Sequence, residues 1–182
     1  MPAEREGELP RWFVYAATVP GIAVALVGVV GLVLALLGIF TTWLTLALAT
    51  PAVIAATVVS GRGARPRLSS RSAAAWAAGA VVLALGYGVF AASVPSQNVR
   101  LSRDPGAYLN TGRWLAREGT LEVDAAGTAF DGIDGLTFDS AAVHRSGPGT
   151  LEFQFNHLTA VILAVGFDLG GHGLMLRMPA LA

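Results

Sequence analysis

Residues 12–60, WFVYAATVPGIAVALVGVVGLVLALLGIFTTWLTLALATPAVIAATVVS, contain no charged side chain. A helix needs roughly 20 apolar residues to cross the hydrocarbon core of a bilayer. This stretch has length for two helices and a tight turn. The turn falls at Gly38-Ile39-Phe40-Thr41-Thr42, where small and hydroxylated residues interrupt the Leu/Val/Ala pattern. Trp43 follows and suits the membrane–water boundary. The spans are expected near Tyr15–Leu37 and Trp43–Val59. Pro20 and Pro51 fall inside them, which is tolerable where neighbouring helices satisfy the freed carbonyls.

Outward from this hairpin, residues 61–72 carry Arg62, Arg65, Arg67 and Arg71 with no acid. Short loops rich in Arg stay in the cytoplasm. A second uncharged stretch, Ser72–Val99, holds a third span near Ala73–Val94, and Pro95 ends it. Counting back from the Arg loop, residues 1–11 form a cytoplasmic tail, the turn near Thr41 is outside, and the chain emerges outside after Pro95. No cleavable leader is expected, because Glu4, Glu6 and Glu8 spoil a positive start and the apolar run is too long.

Composition agrees with an integral membrane protein. The chain is 54% hydrophobic and 13% charged, against about 25% charged in soluble domains. Net charge is zero, so no basic field points to nucleic acid. All 12 basic residues are Arg, which together with the Ala and Gly content reads as GC-rich, bacterial coding. Cysteine is absent, which removes disulfides, thiolate metal sites and a cysteine nucleophile.

Residues 95–150 are polar and rich in Gly and Asp, and read as an extracytoplasmic loop. Asp104-Pro105 opens a helix, with Asp at the cap and Pro at the first helical position. Tyr108, Leu109, Trp114 and Leu115 then recur at helical spacing until Glu118-Gly119 ends it. A helix with that aromatic face is expected to lie flat on the membrane interface. Thr120–Asp139 reads as short extended pieces and turns, with Asp131-Gly132 and Asp134-Gly135 as turn dipeptides. Residues 151–182 read as a juxtamembrane helix and the start of a further membrane helix. The uncharged run Leu158–Phe167 is too short to span and reads as interfacial or re-entrant. Because Leu174–Leu181 opens another apolar element, the chain is expected to be the N-terminal piece of something longer. The fold class is thus membrane all-α, with about three transmembrane helices followed by a loop with amphipathic helices.

Asp104 admits two readings, a carboxylate that takes a proton from an acceptor hydroxyl or an N-cap that opens a helix. Arg100, Arg103, Arg113 and Arg117 could hold lipid or donor phosphates bidentately, or snorkel to the interface. Glu152 and His157 are either polar groups lining a site or a satisfied interfacial pair, and Tyr108 is a further possible lining residue. His144, His157 and His172 match no metal spacing, and Asp131, Asp134 and Asp139 miss the calcium-loop pattern. The sequence calls for no cofactor and leaves a divalent metal open.

Two stretches together resemble the C-type membrane glycosyltransferases, which include protein O-mannosyltransferases and the aminoarabinose transferases of lipid A. The first is Ser102-Arg103-Asp104-Pro105-Gly106-Ala107-Tyr108 through Gly119, similar to the start of the family's first outer loop. The second is Phe153-Gln154-Phe155-Asn156-His157-Leu158-Thr159-Ala160 through Gly170, followed by Arg177-Met178-Pro179. It resembles the family's juxtamembrane helix and its Arg-x-Pro entry into the next span. The resemblance covers Ala73 onward. It implies transfer of a hexosyl or pentosyl group from a polyprenyl-phosphate donor to an acceptor outside the cytoplasmic membrane, with inversion. Asp104 matches the catalytic acid position; the family's following Glu is Pro105 here. Family members have many more membrane helices, so on this reading the chain is an N-terminal portion that does not turn over alone. The alternatives are a non-catalytic polytopic protein whose outer loop binds a partner or lipid, and a transporter. No ionisable residue sits in mid-span, which disfavours the transporter.

Overall fold

A computed structural model describes residues 11–63, 71–95, 104–126, 142–147, 149–154 and 156–181. It is mostly helical, and four of its helices are long and apolar enough to cross a membrane. The first three match the expected spans. They are α1 (Arg11–Leu36), α2 (Thr42–Gly63) and α3 (Arg71–Ser93).

The hairpin turn is built by local hydrogen bonding. Gly38 takes φ +69, a left-handed value that costs glycine nothing. The Gly38 N–H donates to the Ala35 carbonyl, and the Ile39 N–H to the Leu34 carbonyl. This pair of bonds closes the last turn of α1 as a Schellman motif. Three residues on, the Thr41 hydroxyl accepts from the Leu44 N–H at 3.3 Å and caps α2. The expected turn is therefore found, with its donors and acceptors accounted for. The Arg-rich loop between α2 and α3 lies largely outside the described residues.

Beyond α3 the chain forms α4 (Asp104–Glu118), β1 (Glu122–Asp124), β2 (Val143–Gly147), β3 (Thr150–Phe153), α5 (His157–Met175) and α6 (Met178–Leu181). The three strands make an antiparallel sheet in the order β1-β3-β2. Here the structure corrects the expected helix over residues 151–182. Leu151 and Phe153 are buried while Glu152 between them is half-exposed, an alternation that fits a strand and not a helix. The helix starts later, at His157, where the Asn156 Oδ1 accepts from the Leu158 N–H. Extended structure near 120–139 is borne out at Glu122–Asp124, while the turns at Asp131 and Asp134 lie outside the described residues.

Apolar content alone would count α5 as a fourth crossing, yet it is not one straight helix. Gly170 (φ −154, ψ 22) and Gly171 (φ 63, ψ −161) leave the helical region. The straight leg His157–Leu169 is about 20 Å long, short of the roughly 30 Å hydrocarbon core. After the glycines the chain turns back on itself. A Cβ on Gly166 would collide with Met178 and come within 3.2 Å of the Met175 Cα. In a continuous helix residues 166 and 175 would stand about 14 Å apart along the axis. Residues 157–181 thus form a bent-back hairpin.

The core sits where α5 is sandwiched between α1 and α4. Gly28 faces Leu158, Gly31 faces Val161, and Leu34 and Ala35 cluster with Ala164 and Val165. Both chains advance by the same steps, so α5 runs in the same sense as α1. On the other side Gly112 of α4 lies against Leu163 and the Ala160 carbonyl, and the Arg117 guanidinium sits over the Phe167 ring. The face α4 buries is Ala107, Leu109, Thr111, Gly112 and Leu115, whereas Tyr108 and Trp114 are only half-buried. The small-residue face thus packs against a helix, where an aromatic face had been expected to lie on the interface. The Trp114 Nε1–H donates instead to the Glu122 carbonyl and ties α4 to the sheet. The Phe40 N–H donates to the Gly119 carbonyl at 3.0 Å. That bond puts the α1–α2 turn and the C-terminal end of α4 on the same side of the molecule.

Candidate functional site

Asp104 is the first residue of α4 and its side chain is exposed. It stands on the rim of a cavity of about 450 Å³ formed where α3, α4, α5 and α6 converge. Tyr87, Ala91, Val94 and Pro95 contribute from the end of α3. Pro105, Tyr108 and Leu109 come from α4, Thr159 and Leu163 from α5, and Pro179 and Ala180 from α6. The size is that of a small-molecule site. Its walls are aliphatic and aromatic, with Asp104 as the ionisable carboxylate.

Helical geometry explains why Asp104 and Tyr108 line one cavity. Residues four apart on α4 share a face. That face is aimed by the packing of Gly112, where a Cβ would come within 2.8 Å of the Leu163 Cβ. Close approach of α4 and α5 then leaves the space between their N-terminal ends to be filled by Tyr108 and Leu163. Thr159 falls in the Leu-Thr-Ala run that carries the resemblance.

The expected phosphate-binding residues are not gathered there. Arg103 lies outside the described residues. Arg117 is at the far end of α4, about 20 Å from Asp104 along the helix axis, and its guanidinium stacks on Phe167 at 5.8 Å. Arg113, half-buried one turn earlier, makes no ion pair among the described residues. Cation and carboxylate are thus held at opposite ends of one rigid helix.

Glu152 and His157 are associated with the sheet and not with the cavity. Glu152, in the middle strand, pairs across to His144 on β2 and Glu122 on β1. The His144 Nε2 lies 3.8 Å from a Glu152 carboxylate oxygen, with both side chains about two-fifths exposed (42% and 38%). A pair this exposed contributes little. His157 is within electrostatic reach of Glu152, and its Nδ1 is buried without a hydrogen-bond partner. Among the described residues no group of three His, Asp or Glu side chains could hold a metal ion.

Sequence reasoning picked out Asp104 and Tyr108 but missed Tyr87, Thr159 and Leu163 as their neighbours. Those three sit on other helices, Tyr87 toward the end of α3 and Thr159 and Leu163 on the first leg of α5. No protein-family model, curated protein or solved structure matches the chain.

Proposed function

We propose that the protein is a bacterial membrane glycosyltransferase of the C-type. It would move a sugar from a polyprenyl-phosphate donor to an acceptor on the outer side of the cytoplasmic membrane. Asp104 is the base in this reading. Its carboxylate takes the proton of an acceptor hydroxyl as that oxygen attacks the anomeric carbon, and the C–O bond to the donor phosphate breaks with inversion. The observation that carries the reading is the position of Asp104 on the rim of an apolar cavity beside the end of a membrane-type helix, with Tyr108 one turn further in. A lipid-linked substrate needs that combination, because its chain stays in hydrocarbon while its head must meet a carboxylate at the edge. The Arg loop of residues 61–72 favours a cytoplasmic start for α3 and hence emergence of the chain outside after Pro95, while the bond between Phe40 and Gly119 sets the opposite end of α4, about 20 Å from Asp104, beside the α1–α2 turn.

A second reading, a non-catalytic protein that binds a lipid or a partner through this region, is favoured by one observation. Neither Arg113 nor Arg117 lines the cavity of the carboxylate they were expected to assist, and Arg117 sits over Phe167 at the far end of α4. The two readings separate on Asp104→Asn in the full protein in native membranes. Loss of a general base lowers turnover by about 10²-fold or more, measured as labelled sugar transferred from a polyprenyl-phosphate donor. Transfer at the parental rate, with normal membrane insertion, would eliminate the catalytic reading.

A further inference from the structure

Residues 172–181 form one wall of the Asp104 cavity through Leu176, Pro179 and Ala180. They follow Gly170 and Gly171, both outside the helical region, with Gly171 at φ 63 and ψ −161. That conformation is open to glycine and closed to residues with a side chain. Among the described residues, the hydrogen bonds of this segment beyond regular helix are internal to it. The Leu176 N–H donates to the His172 carbonyl, the Arg177 N–H to the Leu174 carbonyl and the Ala180 N–H to the Arg177 carbonyl. The Arg177 guanidinium likewise donates to the Gly173 carbonyl. The segment is thus a self-bonded unit, held to the rest by packing.

Two side chains anchor that packing. Met175 is fully buried with Leu109 and Leu163, and its Cε lies 3.2 Å from where a Cβ on Gly112 would stand. Met178 fills the hollow left by Gly166, where a Cβ would collide with it. Apart from Met1, these are the only methionines in the chain. Methionine is unbranched and re-packs more readily than other apolar side chains. Each one here meets a glycine, so neither is locked behind a neighbouring side chain at that point. Toward α3 the approach is by backbone, with the Ala180 carbonyl 3.6 Å from where a Cβ on Gly88 would stand.

We propose that residues 172–181 are a gate, swinging as one piece about Gly170-Gly171 and withdrawing Met175 and Met178, so that the Asp104 cavity opens. Rotation is confined to two glycines, whose φ and ψ are the least restricted of any residue. Moving as a unit leaves the segment's internal hydrogen bonds intact. What opening costs is the packing of two methionine side chains. The gate sets access to the cavity, and it rests on the proposed function only for what passes through.

The chain has no cysteine, so introduced thiols are read without background. In the full chain in lipid nanodiscs, Leu109→Cys places a thiol on the cavity wall beside Met175. Its rate of modification by N-ethylmaleimide reports access. Met175→Ala is expected to raise that rate by about tenfold or more, since losing a buried methionine's contacts shifts the closed–open balance at least that far. Met178→Ala leaves Met175 and the cavity lining in place and should raise it by a smaller factor. Movement itself is read from spin labels at Val33 and Leu181, with Val33 and Leu169 as the reference pair; all three are exposed. Leu169 precedes the hinge, so the reference pair should keep a single distance. The Val33–Leu181 pair should show a second distance that gains population in both methionine variants, at unchanged helicity. A single Val33–Leu181 distance in the parent and both variants overturns the gate, as does a Leu109→Cys rate that neither substitution changes. Asp104→Asn should alter neither rate nor distances. Failure of the gate and failure of the transferase reading therefore give different results.

Discussion

Helices α3 and α5 have similar apolar composition and almost opposite surroundings. In the window of α3 that would cross a membrane, 6% of residues are buried, against 39% in α5. Trp76, Leu83, Val89 and Phe90 of α3 are all exposed, and Gly79 and Gly86 have open space where a Cβ would be. On α5, Ala160, Val161, Leu163, Ala164, Val165 and Gly166 are all buried, because glycines on α1 and α4 let those helices come close. Hydropathy thus reports which solvent a helix tolerates, and small residues facing one another determine which helices touch.

Three substitutions would break or sharpen this contrast, each read as stability in mixed detergent micelles. The largest effect is expected for Leu115→Ala on α4. Leu115 is fully buried in the cluster that joins α1, α4 and α5, and truncating a buried Leu costs about 2–5 kcal/mol. Next is Gly112→Ala, where the new Cβ would press on the Leu163 Cβ at 2.8 Å and the Ala160 carbonyl at 3.0 Å. Overpacking of this kind costs about 1–3 kcal/mol, and a neutral result would mean that α4 and α5 do not approach as described. The smallest is Gly86→Ala on α3. Nothing lies within 4 Å of the added methyl, so only helix propensity acts and the change should stabilise by up to about 1 kcal/mol. Clear destabilisation there would show that α3 has a close neighbour on that face.

Much of the membrane architecture was legible because it depends on composition over long windows. Absence of charge from Trp12 to Ser60 requires a hairpin, and Gly38 and Thr41 mark its turn through their own backbone and hydroxyl chemistry. The sheet was less legible. Leu151 and Phe153 read equally well as part of an apolar helix until pairing of Phe153 with Val143 and of Leu151 with Val123 and Arg145 made them part of a strand. Local pattern was half right about the face of α4. Leu109 and Leu115 of the expected face are buried, but Tyr108 and Trp114 give way to Ala107, Thr111 and Gly112, which a close helix contact can accommodate.

The candidate site divides along the same line. Asp104 was visible as a carboxylate at a helix start after a membrane span, and Tyr108 as a possible lining residue. The sequence by itself determined which segments prefer hydrocarbon, where the first hairpin turns, and that Asp104 opens a helix, since each depends on residues near one another in the chain. Tertiary structure alone decided that the residues after Gly171 fold back against α5 and that Thr159 and Tyr87 share a cavity with Asp104. It also decided that Arg113 and Arg117 do not line that cavity. Those outcomes depend on the close packing of helices distant in sequence, whose energy lies in side-chain fit and leaves no periodic signal in any one segment.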